Sequence, residues 1–426
     1  MITVEALYQA IYQVASEHHQ HMNRTVIQKQ LTDALGFILA QDIKSPMNIP
    51  QQNLSAMDGF AICGQLDKAI IVGESSAGKP YLGELKQGQG VRIFTGAVVP
   101  DECDFVVMQE HTNWQEIKQN LDKNNVYDVH LVTIPKLGAN IRKQGEEVTT
   151  GECVLEVGKK INPTDISLLA SLGFDNVSVY QPLVVGIIAT GDELTNLGEP
   201  LTSLASIYNS NTPTLKSLLN DMPVIIKDYG IVPDNLEATC HAISQATREC
   251  DVLISSAGVS VGDYDYLTTA IDTLGKITHY KVAMKPGKPF VFGELYGKDG
   301  DENNKTILYF GLPGNPLSCV VGCLQFIKPA LWQLSGVHED DFPTRLVLKA
   351  KLTDDLFKKD GRKEFARAIY HQGEDGVFYV KPLLNQDSHR IKQLSLANCL
   401  LVLQKDIGHL QAGDWVDIEP FTWLLS

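Results

Sequence analysis

The stretch LVVGIIATGDEL, residues 183–194, decides how this chain is read. A β-branched apolar run ends on Thr190 and gives way at once to Gly191, Asp192 and Glu193, the pattern of a buried strand followed by a polar loop. Four more runs repeat it: PVIIKDYGIV (223–232), DVLISSAG (251–258), ITHYKVAM (277–284) and TILYFGL (306–312). Between them lie helical stretches starting near Thr212-Pro213, Asp234, Asp265 and Asn315; Pro213 suits a first helical turn, where its missing N–H would be unpaired anyway. Strands alternating with helices predict a doubly wound α/β domain over 182–337. In such a sheet the loops at the carboxyl ends of the strands face one crevice. GDEL (191–194), SSAGVSVGDYD (255–265), KPGKP (285–289) and GLPGNP (311–316) are therefore expected to form one site.

Outward from this domain the texture changes. After about residue 338 the chain reads as strands (RLVLKAKL, FARAIY, VFYVKPL, CLLVLQ, WVDIEP), an all-β domain over 338–426. Residues 50–138 carry short β-type runs broken by glycine and proline (AIIVGESSAG, GVRIFTGAVVP, DFVVMQE, VHLVTIP), a small barrel or sandwich. Val4, Leu7, Ile11 and Val14 follow the period of a helix with one buried face. That helix runs into His18, His19 and His21, read as solvated residues at a helix end with no function assigned. A second helix is expected in NPTDISLLASLG (162–173), with Thr164 capping its first turn and Gly173 closing its last. Segments 1–49 and 139–181 flank the β-rich insert and are expected to pack together as one discontinuous N-terminal domain. The fold class is thus multidomain, α/β plus β.

Composition narrows the function. A formal net charge of −15 argues against a nucleic-acid backbone as partner, which needs a basic footprint. The eight cysteines are dispersed without a CxxC pair, as expected of buried thiols in a reducing compartment. No apolar run approaches the ~20 residues that cross a bilayer, and the amphipathic start is unlike a signal peptide. No membrane association and a cytoplasmic location are expected.

The strand-end motifs carry the chemistry. Mg²⁺ prefers hard oxygen ligands and usually takes one or two carboxylates plus phosphate oxygens of a substrate. Glu193, Asp234 and Asp265, each expected after a different strand, match that need. Lys281 and Lys285 precede or open a proline-stiffened KPGKP turn and supply cations for a polyanion. GLPGNP has the form of an anion turn opening a helix. GxxxxGK[ST] and HExxH are absent from the sequence, which leaves metal-assisted attack on a phosphoanhydride.

These residues resemble the molybdopterin molybdenumtransferases, the MoeA family, which also matches the C-terminal portion of gephyrin. The likeness runs over essentially the whole chain: SAMDGFA (55–61), FTGA (94–97) with DFVVMQE after it, Asn140-Ile141-Arg142 leading to Gly145-Glu146-Glu147, and the four strand-end motifs, on an α/β module similar to MoaB and Mog proteins. The resemblance implies that adenylylated molybdopterin and molybdate bind, that Mg²⁺ assists cleavage of the pyrophosphate link with release of AMP, and that molybdenum enters the dithiolene. It also implies a four-domain homodimer whose cleft joins the α/β domain of one subunit to the N-terminal domains of the other. By motif, Asp58, Thr95, Glu193, Asp234 and Asp265 take the catalytic positions, with Glu193, Asp234 and Asp265 handling the metal. Arg142, Glu147, Lys281, Lys285 and Ser388 take substrate contacts. Glu147 stands where the family commonly has aspartate, Ala257 where a glycine is common, and Gly262-Asp263-Tyr264-Asp265 where glycine, glutamate, alanine, aspartate is usual.

Two other functions fit parts of the sequence. A nucleotide or pyrophosphate hydrolase of the competence-damage type would use the same α/β module but leaves SAMDGFA and the β-rich insert unexplained. A gephyrin-like scaffold would not need acids and lysines at the catalytic positions.

Overall fold

The computed structural model describes residues 1–120, 126–257, 266–296, 305–358, 361–384 and 386–424. The chain forms two compact units, one of Met1–Ala40, Gly158–Ile166 and Asp175–Ser426, the other of Gln41–Val157 and Ser167–Phe174.

The larger unit contains the α/β domain, in which we number β1 (Leu183–Thr190), α1 (Asn211–Leu219), β2 (Val224–Val232), α2 (Leu236–Glu249), β3 (Val252–Ser256), α3 (Tyr266–Leu274), β4 (Gly275–Tyr280), β5 (Val291–Tyr296), β6 (Thr306–Leu312) and α4 (Pro316–Gly322). The six strands lie in the order β2-β1-β3-β6-β5-β4. Strands β1, β2, β3 and β6 run parallel, as the repeated strand–helix pattern predicts. Alternation along β1 shows the double winding: Leu183, Val185 and Ile187 enter one core with α1 and α4, whereas Ile188 enters another with α2 and α3.

One strand is added to the sequence pattern and one reading is corrected. The sheet is mixed, because Val291–Tyr296 forms a further strand antiparallel to both β6 and β4. ITHYKVAM is not one strand: β4 stops at Tyr280, and Met284–Lys285 pairs instead with Lys363 and Glu364. Lys281 causes the break, since its φ of 76° turns the chain out of extended geometry.

Helix starts also shift. Asn235, not Asp234, caps α2, its side chain accepting the Ala238 N–H. Asn162 replaces Thr164 as the cap of Pro163–Ser171: its Oδ1 accepts from the N–H groups of Thr164 and Asp165 and from the Thr164 hydroxyl. With Pro163 occupying the first helical position, the residue before it must supply the cap. The N-terminal helix Val4–His21 buries Val4, Leu7, Ile11 and Ala15 in the core shared with β1, α1 and α4. Its histidine end is less solvated than expected, for His18 Nε2 lies 2.6 Å from Glu294 Oε1. Against the expectation that no segment could span a bilayer, helical residues Pro316–Leu334 are long and apolar enough by composition; 78% of that stretch is buried.

The C-terminal strands also belong to the larger unit. Lys363–Gln372, Phe378–Pro382, Leu348–Leu352, Trp415–Pro420 and Cys399–Leu403 pair in that order, and the first also pairs with the last, closing the sheet on itself. Ala366, Ala368, Val380, Leu401, Val416 and Ile418 fill its interior.

In the smaller unit a five-stranded sheet runs in the order Phe105–Met108, Gly59–Ile62, Gln89–Ile93, Lys68–Ser75, Tyr127–His130. Both of its faces are covered, one by Phe60, Ile62, Phe105 and Val107, the other by Ala61, Val91, Ile93 and Val106. At Gly59 the neighbouring strand comes so close that a Cβ would sit 1.8 Å from the Val107 carbonyl oxygen. Gly59→Ala is therefore expected to force this strand pair apart at a cost of about 1–3 kcal/mol, read as a lowered midpoint in urea unfolding. An unchanged midpoint would contradict the packing described.

Candidate functional site

In the smaller unit, Asp58 precedes the strand Gly59–Ile62, and Thr95 lies in the turn after Gln89–Ile93. These strands are antiparallel neighbours with Gly59 opposite Ile93, so residues 37 apart in the chain meet at one sheet edge. Asp58 Oδ1 accepts both the Thr95 N–H (2.8 Å) and the Thr95 hydroxyl (2.9 Å). These two donors, helped by the charge of Arg92, hold the exposed carboxyl below its ordinary range. Asp58 is thus a carboxylate of fixed orientation facing solvent.

Arg92, absent from the sequence-derived site, organises this edge from below. It is 8% exposed and donates to the Gly59 carbonyl (2.9 Å) and to Gln109 Oε1 (2.6 Å). Its guanidinium lies 4.6–5.1 Å from the ring centres of Phe60, Phe94 and Trp114. Gln109 in turn donates its N–H to the Asp58 carbonyl. The sequence signal was one charged residue inside the apolar run GVRIF, where the period of a half-exposed strand would place an unremarkable surface arginine.

Ser55 steadies the same edge: it is fully buried, donates its hydroxyl to the Met57 carbonyl, and accepts the Gly96 N–H on its own carbonyl. Leu54 and Ser55 pair with Arg142 and Ile141, which brings Arg142 to the ladder leading into Asp58. Glu147 lies further along the same exposed segment, its N–H bonded to the Ile49 carbonyl. No side-chain hydrogen bond or ion pair joins either residue to the Asp58–Thr95 pair among the described residues.

In the larger unit the register of the sheet sets the second group. Thr190 pairs with Val232, Ala189 with Ser256, Ser256 with Leu312, Gly311 with Val291, and Val291 with Tyr280. The residues that follow β1, β2, β3, β6 and β4 therefore share one rim. Asp192 and Glu193 follow β1, Asp234 follows β2, Ala257 follows β3, Pro313 to Asn315 follow β6, and Lys281 follows β4. At about 4.8 Å per strand, Lys281 and Asp234 stand about 24 Å apart along that rim. Acids occupy one end of it and a lysine the other.

Asp192 and Asp234 are joined reciprocally: the Asp192 N–H donates to Asp234 Oδ2 (3.3 Å), and the Asp234 N–H donates to Asp192 Oδ1 (3.2 Å). The second oxygen of each carboxylate has no partner among the described residues. Asp192 is quoted in the motif but not counted as a site residue; only the pairing of β1 with β2 shows that it meets Asp234. Gly191 has φ 135°, and a Cβ there would lie 2.5 Å from a Glu193 carboxylate oxygen, so a side chain at 191 would displace that carboxylate. Asp265 lies outside the described residues. Among those described, no group of three or more His, Cys, Asp or Glu is arranged to hold a metal. Asp192, Glu193 and Asp234 nevertheless present only hard oxygen donors, the set that Mg²⁺ takes when a substrate supplies its remaining ligands.

Lys285 does not end a strand of this sheet but lies in the connection from Tyr280 to Val291, both of which stand at this rim. It sits on the short strand paired to the C-terminal sheet, its Nζ 3.1 Å from Glu364, whose side chain is 9% exposed. Ser388 belongs to a turn that the buried Arg367 holds by donating to the Asp387 (3.0 Å) and Arg390 (2.8 Å) carbonyls. The structure thus joins Asp58 with Thr95, and Glu193 with Asp234 and Lys281 along one rim. Lys285 lies in the connection between β4 and β5, paired with Glu364, and Ser388 lies in a turn of the C-terminal strands.

Known proteins resemble this chain along nearly all of its length. Residues 2–173 match the model "MoeA N-terminal region (domain I and II)", residues 186–333 match "Probable molybdopterin binding domain", and residues 349–421 match "MoeA C-terminal region (domain IV)". A molybdopterin molybdenumtransferase of Haemophilus influenzae is 37% identical over 93% of this chain and 94% of its own length. Gephyrin of Dictyostelium discoideum is 32% identical over 94% of this chain and 60% of its own. A solved MoeA structure from Pyrococcus horikoshii, 24% identical, superposes with a TM-score of 0.74 over 96% of this chain and 99% of that one, which shows a shared fold. With likeness at this level along nearly all of its length, and three family models matched in order, the chain belongs to the molybdopterin molybdenumtransferases of molybdenum cofactor biosynthesis.

Proposed function

We propose that this enzyme inserts molybdenum from molybdate into adenylylated molybdopterin, with Mg²⁺-dependent cleavage of the phosphoanhydride and release of AMP. The observation that carries the reading is the shared rim, on which Asp192, Glu193 and Asp234 stand in line with the GLPGNP turn and Lys281. When bound, Mg²⁺ would neutralise charge on the diphosphate and on the departing AMP. Glu193 and Asp234, with Asp192 beside Asp234 and with Asp265 on the family likeness, are the residues that would hold it, phosphate oxygens of the substrate completing the set. Lys281 and the backbone of the 313–316 turn supply positive potential for a phosphate or for the molybdate dianion. Asp58, kept ionised and oriented by Thr95, supplies a proton acceptor. Arg142, Glu147, Lys285 and Ser388 are assigned to substrate binding on the family likeness alone.

A hydrolase built from the α/β module alone leaves the family matches over 2–173 and 349–421 without a purpose. The same reading includes a homodimer in the cytoplasm, without nucleic-acid or membrane partners. Sedimentation at micromolar protein is expected to give twice the chain mass of 46.9 kDa.

The direct test mixes purified protein with adenylylated molybdopterin, Mg²⁺ and molybdate, and measures AMP and a molybdenum-loaded product. Chelation of Mg²⁺ is expected to abolish AMP release. Asp58→Asn and Glu193→Gln are each expected to slow it about 100-fold with an unchanged circular dichroism spectrum; wild-type turnover by both would end the assignment. Thr95→Val removes one of the two donors that hold the Asp58 carboxyl low. Because the ionised form is the working one, the acid limb of the pH–rate profile is expected to move to higher pH in this variant. A limb that stays in place would mean that Asp58 does not set it.

A further inference from the structure

Asn211 opens α1 beside the turn that follows β6. It is 8% exposed, and its Nδ2 donates to the Gly314 carbonyl at 2.8 Å. That bond settles which way the amide faces, with nitrogen toward the turn and oxygen away from it. Oδ1 is buried and has no hydrogen-bond partner among the described residues.

The neighbouring polar side chains do not meet this need. Asn209 and Thr212 close on each other, Nδ2 of the first donating to the hydroxyl of the second and the Thr212 N–H donating back to Asn209 Oδ1. At Gly314 a Cβ would lie 3.4 Å from the Ala257 methyl, so the amide is anchored where the ends of β3 and β6 meet the start of α1. Thr190, at the end of β1, shows the same condition: it is 3% exposed, and its Oγ1 is buried and unpaired among the described residues. Native proteins pair nearly all such groups with protein, water or a bound ligand, so each unpaired one calls for an account; of the four among the described residues, Thr190 and Asn211 lie by the sheet end, Gln333 and Gln393 elsewhere.

Resting on the proposed function, we infer that Asn211 is a ligand contact of the sheet-end crevice, its side-chain oxygen accepting a hydrogen bond from an N–H of the substrate's heterocycle. The chemistry of the atom selects this class of group. An amide oxygen only accepts, and phosphate and molybdate oxygens only accept, so Asn211 does not serve the diphosphate or the oxyanion. Pterin and adenine both carry N–H donors. The Gly314 bond holds the amide in one orientation, so no rotamer freedom is lost when the donor arrives.

The test uses two uncharged probes, pterin followed by fluorescence and adenosine followed by calorimetry, on the full-length wild type, Asn211→Asp and Asn211→Leu. Asp keeps the shape and an acceptor but loses the amide donor to Gly314; Leu keeps approximate volume and loses both. A ligand acceptor at this position predicts at least about tenfold weaker binding of one probe to Leu, with Asp within about threefold of wild type. The probe that weakens identifies the ring. Should the leucine variant not fold, Asn211→Ala carries the same expectation. Leu within twofold of wild type for both probes, or Asp weakened as much as Leu, overturns the inference, the second result because only the Gly314 link would then matter. Wild-type protein that releases AMP yet binds neither probe also overturns it and leaves the proposed reaction standing. Wild-type protein that releases no AMP overturns the reaction, while the probes still decide Asn211.

Discussion

The hydrogen-bonded register of β1, β2, β3 and β6 is the constraint on which the site in the α/β domain depends. Parallel strands paired so that Thr190, Val232, Ser256 and Leu312 end level must deliver their following loops to one edge. Slip one strand by a residue and every side chain on it changes face. The two apolar cores on either side of β1 hold the register, since Val185 and Ile187 have one set of partners and Ile188 the other. Packing far from the crevice thereby fixes which acids stand in it.

Charge on that rim is graded. Asp192 and Asp234 lie close enough to trade backbone hydrogen bonds, an arrangement two carboxylates tolerate because each faces the other's N–H. Lys281 stands at the far end, at the break that ends β4. In the smaller unit the same economy of means is visible at Asp58, where Thr95 gives two donors to one oxygen and a buried arginine below fixes the neighbouring carbonyls. Each carboxylate is held by backbone N–H groups, which do not rotate away as long side chains do.

Much of this was legible before any coordinates. The α/β alternation, the β-rich insert and the closing β domain follow from runs such as LVVGIIAT, DFVVMQE and CLLVLQ, because period and punctuation are local properties. Glu193 and Asp234 could be placed at strand ends for the same reason, whereas Lys281 read as lying inside ITHYKVAM and follows a strand end only in the folded chain. Lys285 could not: ITHYKVAM looks like one strand, and only the turn at Lys281 and the pairing of Met284–Lys285 with another sheet divide it. Arg92 was hidden because its burial comes from Trp114, which packs over it from beyond the strand. Glu294 is 276 residues from His18, a separation that no reading of the histidine tract bridges.

Sequence alone determined which elements form, which of them carry acids or lysines at their ends, and the family to which those motifs are similar. These follow from apolar periodicity, glycine and proline positions, and short motifs, all of which act over a few residues. Tertiary structure decided which ends meet: Asp192 with Asp234, Asp58 with Thr95 above Arg92, Lys285 with Glu364, and Asn211 with Gly314. The physical reason is that such pairs are set by strand order and register, and those are chosen by the burial of whole faces.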